Sequence, residues 1–249
     1  MPASENSNAA TRLSVNINKI ATLRNARGEN NPNLLQKALQ CEHFGADGIT
    51  VHPRPDQRHV RRVDVEQLAT HLHTELNIEG YPDPVFIDLV NRTKPQQVTL
   101  VPDRPEALTS TGGWDVEANA PFLLEVIESI RPSGARVSIF IEPDSRQVEA
   151  AAKVGADRVE FYTKPYAETY RLDPAKAADP YRKAALKAVD VGLGVNAGHD
   201  LCLENLAYFH NVMPRLDEVS IGHALICDAL DMGLKTTIER YLECLNRKP

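Results

Sequence analysis

One alternation runs through the whole chain: a short β-rich run, then a stretch with helical periodicity, eight times over in 249 residues. The strand-like runs fall at residues 13–18, 48–53, 77–81, 97–102, 136–141, 158–163, 192–197 and 218–223. Between them, Leu34, Leu35, Ala38 and Cys41 recur at helix spacing, as do Val65, Leu68, Ala69, Leu72 and Leu76, and later Val148, Ala151, Ala152 and Gly155. Strands separated by helices need crossover connections and pair in parallel. Eight such units predict an α/β protein, a closed (β/α)8 TIM barrel with one or more extra helices. An open doubly wound sheet is the competing architecture, and the lack of a glycine-rich first turn weighs against it. No linker interrupts the pattern, so residues 12–249 read as one domain behind a polar, flexible tail at 1–11.

Two segments echo each other. Gly45-Ala46-Asp47 and Gly155-Ala156-Asp157 each place a glycine where a helix should stop, then Ala-Asp, then a strand. Glycine past a helix end accommodates a left-handed turn, so the same joint is built twice. The longest insertion, 164–179, carries Pro165 and Pro174 and predicts an added helix or structured loop before strand seven.

Charge narrows the partners. Twenty-eight basic and 34 acidic residues give a net charge of −6, against a general nucleic-acid or anionic-membrane binder. Within residues 1–62, however, the basic residues outnumber the acidic ones, and the arginines sit inside apolar-patterned sequence, which favours a local site for small anions. No apolar run approaches the length needed to span a bilayer, and the start of the chain lacks a secretory pattern. Cys41, Cys202, Cys227 and Cys244 are scattered, with no Cys-x-x-Cys pair, as expected of thiols in a reducing cytoplasm.

Barrel enzymes react at the C-terminal ends of their strands. Here those ends carry Asn16 and Asn18, His52 and Arg54, Glu79, Thr109 in the loop after strand four, Asn196 and His199, and Gly222-His223. Gly222 and His223 mark the strand-eight turn, where barrels commonly bind phosphate on backbone N–H groups. Arg24 and Arg27 after strand one, and Arg54, Arg58 and His59 after strand two, add further anion capacity, enough for two phosphorylated groups. His52 and His199 titrate near neutrality, and burial of Glu79 would raise its pKa, so all three suit proton transfer. No lysine closes strand six, where a Schiff-base aldolase of this fold often has one; Lys164 follows it. His71 and His73 sit on different sides of a helical pattern before a strand, which disfavours a metal site. Trp114 reads as a loop anchor or as part of a lid.

The segment Ser14-Val15-Asn16-Ile17-Asn18-Lys19 through Gly28 resembles the opening signature of the pyridoxine 5′-phosphate synthase family. Gly45 through His59 is similar to its second block, and Asn77-Ile78-Glu79, Thr111-Gly112-Gly113-Trp114, Val195 through His199 and Ile221 through Ala224 continue in order. The resemblance implies a cofactor-free, metal-free ring-forming enzyme. It would condense 1-deoxy-D-xylulose 5-phosphate with 3-amino-2-oxopropyl phosphate to pyridoxine 5′-phosphate, phosphate and water. It implies His52, Glu79 and His199 as acid–base residues. Asn16, Arg27, Gly222 and His223 would hold the aminoketone phosphate, and Arg54, His59 and Thr109 the deoxyxylulose phosphate. Asn18, Lys19 and Asp200 carry over as binding positions, and a cytoplasmic homo-octamer is implied. The family has Asp-His where this chain has Asn18-Lys19, and glycine where it has Asp200. A carboxylate at position 200 must point away from a bound phosphate or be paired, since like charges repel. Another phosphosugar isomerase or lyase, or a non-catalytic binding barrel, are the alternatives.

Overall fold

A computed structural model describes residues 10–103 and 112–246. The strands are β1 (Arg12–Asn16), β2 (Gly48–Val51), β3 (Glu75–Gly80), β4 (Gln97–Leu100), β5 (Arg136–Ile141), β6 (Arg158–Tyr162), β7 (Gly194–Gly198) and β8 (Glu218–Ile221). Each pairs in parallel with its sequence neighbour, and β8 returns to β1, so the sheet closes. The (β/α)8 barrel predicted from the alternation is the architecture found.

Among the described residues eleven helices surround it: α1 (Asn18–Asn25), α2 (Leu34–His43), α3 (Arg62–His71), α4 (Pro84–Thr93), α5 (Ala120–Ile130), α6 (Ser145–Lys153), α7 (Lys164–Thr169), α8 (Pro174–Asp190), α9 (Leu206–Val212), α10 (His223–Met232) and α11 (Leu234–Cys244). The surplus over eight lies after β1, β6 and β8, where two helices follow one strand. The proline-bearing insertion thus resolves into α7 and the first turn of α8. Strand one is shorter than its sequence suggests, because Asn18 already opens α1. Thr11, assigned by sequence to the tail, is buried, and its hydroxyl donates to Leu216 O at 2.7 Å.

The repeated Gly-Ala-Asp joint has a mechanical purpose. Gly45 and Gly155 have φ of +103° and +85°, ending α2 and α6. The aspartate that follows then reaches back across the sheet. Asp47 Oδ2 accepts from Leu13 N at 2.9 Å, and Asp157 Oδ2 from Val137 N at 2.8 Å. Asp217 does the same to Val195 N at 2.7 Å, and Gln96 Oε1 to Leu76 N at 2.9 Å. Every even strand is therefore preceded by an acceptor side chain that holds the first residues of the odd strand before it. The backbone oxygens of the same four residues accept from Glu75, Arg136, Gly194 and Arg12, at the start of the odd strand that follows. Four residues thus link all eight strands at the N-terminal end of the barrel.

Side chains alternate between the two faces of each strand. Leu13, Val15, Ile49, Val51, Ile139 and Val219 are buried in the core cluster. The alternate positions are polar. Ser14 Oγ lies 2.6 Å from Thr50 Oγ1, Asn77 Nδ2 donates to Thr50, Thr99 donates to Asn77, and Gln97 Nε2 donates to Glu218 at 2.9 Å. The last bond joins β4 to β8, strands that are not neighbours in the sheet, so it crosses the barrel interior. Hydrogen bonding fills a space that branched apolar side chains occupy in most barrels of this type.

Replacing Asp47 with Ala leaves the Leu13 amide without its acceptor. The expected loss is about 1–3 kcal/mol of unfolding free energy, read as a lower urea midpoint with an unchanged slope. Asp47→Asn, which keeps an acceptor oxygen, should lose less.

Candidate functional site

The C-terminal rim is assembled from the short strands upward. Asn16, the last residue of β1, accepts from Asn18 N at 3.1 Å through Oδ1 and points its amide nitrogen at Glu79 Oε2, 3.4 Å away. Asn18, at the start of α1, accepts from His52 N at 2.9 Å. Two asparagines therefore link the ends of β1, β2 and β3. Next to β1, the rim closes on Gly222, the residue before α10. A methyl group there would sit 3.0 Å from Asn16 Cβ, so a larger residue would press on the Asn16 side chain.

These ends surround a cavity of about 440 Å³. Its wall includes His52, Glu79 and His199, together with Asn16, Asn18, Lys19, Arg54, His59, Asp200, Gly222 and His223. All three residues predicted to handle protons share it, with eight of the predicted binding positions. Thr109 lies outside the described residues. Arg27 does not join the wall. The helix α1 runs on to Asn25, and the turn that follows carries Arg27 onto the surface.

Arg24 also departs from expectation. It is buried, and its guanidinium grips Asp64 at 2.6 and 2.9 Å while donating to His59 O. Asn25 donates to the same carbonyl at 2.8 Å. The charge predicted to meet phosphate instead fastens the β2–α3 loop, with His59 on it, to α1. Trp114 is an anchor: buried, it donates to Leu100 O and stacks on Tyr81.

Withdrawal from water sets the protonation states. Burial, reinforced by the neighbouring Arg54, His59 and Arg58, depresses the His52 pKa from an ordinary 6.5 to about 3. Burial and the charges of Arg54, Arg58 and Lys19 bring His59 to about 4. His59 Nδ1 accepts from Val60 N, so its proton resides on Nε2, where it can donate to a ligand. Burial drives Glu79 the other way, well above the carboxylate range, and the charges of Glu160, Asp103 and Glu218 add to the effect. At neutral pH the pocket thus pairs a neutral imidazole with a proton-bearing carboxyl group, an acceptor and a donor.

Several residues in or beside the wall were not among the candidates read from the sequence. Glu160, inside β6, is buried and raised in pKa by burial and by Glu218. A methyl at Gly198 would run into its Oε1, so β7 is glycine at that point for Glu160 to fit. Asp103 holds the buried Arg54 at 3.3 Å. Lys164, at the start of α7, and Ser220 complete the polar lining. The signal for Glu160 was present: it interrupts the apolar run Val159-Glu160-Phe161 on the inward phase of a strand.

Over residues 13–247 the sequence matches the family described as pyridoxal phosphate biosynthesis protein PdxJ. The chain belongs to the PdxJ family. It is 61% identical to the pyridoxine 5′-phosphate synthase of Bacteroides fragilis over 94% of this chain and 99% of that one. The corresponding synthase of Cytophaga hutchinsonii is 57% identical over 95% and 100%. Among solved structures, an orotidine 5′-monophosphate decarboxylase from Methanocaldococcus jannaschii superimposes with a TM-score of 0.64 at 11% identity, covering 96% of this chain and all of that one, a likeness of fold alone. Within the PdxJ chain described here, Asn18 and Lys19 occupy the cavity wall with the Asn18 side chain turned toward His52.

His52 offers a test by pH. Its folded pKa lies below its unfolded value, so the unfolded chain binds the extra proton and stability is lost as pH falls from about 6.5 toward 3. In a His52→Gln variant that share of the acid dependence should vanish, read by chemical denaturation at pH 7 and pH 4. Arg24→Ala strands the buried Asp64 carboxylate and should cost roughly 3–5 kcal/mol of stability, checked by the same method.

Proposed function

We infer that this PdxJ family member is a pyridoxine 5′-phosphate synthase acting in vitamin B6 biosynthesis. The observation that carries the reading is one cavity holding a neutral imidazole, a protonated carboxyl group and a second imidazole between two anion-holding borders. On one border stand Gly222 and His223 at the start of α10, where unpaired backbone N–H groups and the helix dipole favour phosphate. On the other stand Arg54 and His59, with Lys19 near. The substrates we assign are 3-amino-2-oxopropyl phosphate at the first border and 1-deoxy-D-xylulose 5-phosphate at the second.

Holding both anions in one pocket makes the attack of amine on ketone an oriented, effectively intramolecular event. Imine formation releases water. His52, neutral because buried, accepts the proton lost as the imine becomes an enamine. Glu79 carries a proton at neutral pH and delivers it to a departing hydroxyl, which leaves as water; as carboxylate it then takes the next proton from carbon. His199, across the mouth from β3, serves the later steps, in which phosphate leaves C5 of the sugar-derived chain, water adds to that carbon in its place, and the ring closes on the aminoketone carbonyl with loss of water. Asn16 touches Glu79 and packs on Gly222, which keeps the proton donor in register with the phosphate border. Arg27 is left out of the phosphate contacts, since it stands outside the cavity.

Self-association into a homo-octamer is part of the proposal. Leu23 on α1, Val63 on α3 and Val85 on α4 are large apolar side chains exposed on the single chain, suited to contact between copies. The four cysteines are unpaired, in keeping with a reducing cytoplasm.

Purified protein given both substrates should generate the absorbance of pyridoxine 5′-phosphate, with stoichiometric release of phosphate from the deoxyxylulose phosphate, whose C5 becomes the unphosphorylated hydroxymethyl group while the product keeps the aminoketone's phosphate. Turnover of the sugar phosphate alone would instead identify an isomerase or lyase. Glu79→Gln should abolish ring formation, about 100-fold or more in kcat, with little change in the binding of either phosphate ester.

A further inference from the structure

The sequence left one demand outstanding: the carboxylate of Asp200, beside a border built for phosphate, has to be turned away or paired. It is paired. Asp200 Oδ2 lies 2.7 Å from His199 Nδ1. We propose that Asp200 is a positioning residue for His199, its carboxylate fixing the imidazole by its Nδ1–H so that Nε2 is the nitrogen that exchanges protons with the substrate. The proposal rests on the synthase reading above for its chemistry, but its geometry stands apart from it.

Three features hold the pair. First, the backbone is bent on purpose: His199 has φ of +78° and Asp200 of +60°, two successive non-glycine residues in the left-handed region. A conformation disfavoured for both persists only where surroundings enforce it. Second, those surroundings are identifiable. Thr163, at the end of β6, donates its hydroxyl to the carbonyl oxygens of Gly198 and His199, and its amide donates to Gly198 O at 3.0 Å. Asn205 donates to Asp200 O at 3.3 Å, and its own side-chain oxygen accepts from Cys202 N. Third, the His199 ring meets the edge of Tyr162 at 5.1 Å, which fixes the plane that Asp200 then pins by its Nδ1 edge.

The charge balance agrees. Hydrogen bonding from His199 holds the Asp200 carboxyl below its usual range, with Lys164 and His223 adding positive charge nearby. A carboxylate on Nδ1 also stabilises the imidazolium that forms whenever Nε2 takes a proton, the arrangement by which an aspartate orients a catalytic histidine in hydrolases. The carboxylate is thereby engaged by a donor and lies within the field of Lys164, rather than standing bare toward an incoming phosphate. A glycine at this position would offer a phosphate its backbone N–H but would leave the imidazole without this carboxylate.

Asp200→Gly and Asp200→Asn test the assignment. Glycine accepts φ of +60° without strain, so Asp200→Gly should fold and melt like wild type. Its kcat should fall about tenfold or more with KM for both substrates within about twofold, the mark of an interaction felt in the transition state. Asp200→Asn, whose side-chain oxygen still accepts from Nδ1–H, should recover most of that loss. Nitrogen-15 spectra of labelled histidine, with His199 assigned by a His199→Gln difference, should show the Nδ1–H tautomer in wild type and its loss in Asp200→Gly. Unchanged kcat in Asp200→Gly, a loss confined to KM, an asparagine variant as poor as glycine, or an unaltered tautomer would each overturn the proposal. A wild-type chain that makes no product from the two substrates would instead defeat the synthase reading, and the tautomer would then decide the role of Asp200 alone.

Discussion

Register is the constraint from which everything at the rim follows. A parallel strand that slips by one residue turns its inward side chains outward, and here the inward side chains at one end are the site. The guard against slippage sits at the other end. Asp47, Gln96, Asp157 and Asp217 each bind the first residues of the preceding odd strand through a side-chain oxygen and those of the next through a backbone oxygen. Three to five residues further on, the same strands deliver Asn16, His52, Glu79 and His199 to one opening.

Within that opening, desolvation does opposite things to opposite groups. It strips a proton from His52 and leaves one on Glu79, because burial penalises whichever form is charged. The pocket is thereby able to hold a donor and an acceptor side by side without an ion pair forming between them. Positive charge remains at Arg54, where Asp103 stands against it, and at Lys19 and Lys164 on the wall.

Much of this was legible in the chain. Eight alternations announced the barrel, and polar residues at strand ends announced its rim, because strand periodicity and crossover geometry are local properties written residue by residue. The resemblance carried by Ser14 through Gly28 and Gly45 through His59 supplied the chemistry. What sequence did not disclose depends on pairs far apart in it. Arg24 looked like a phosphate ligand until Asp64, forty positions later, took it. Arg27 looked like its companion until α1 proved to run through Asn25 and turn it outward. Glu160 went unremarked because an acidic residue in an apolar run gains meaning only when Gly198 and Thr99 are seen around it. Asp200 read as a substitution to be tolerated, since nothing linear reveals that its carboxylate meets the neighbouring ring.

Asn16 belongs to three environments at once. It touches the carboxyl group of Glu79, supports the turn into α1 through Asn18, and supplies the surface against which Gly222 packs. In the proposed synthase, proton delivery and anion capture are consequently not separable modules. A substitution at residue 16 would be felt at all three contacts, and substitutions at 18, 79 or 222 would be felt through it, so the effects of changes at these four touching positions should not simply add.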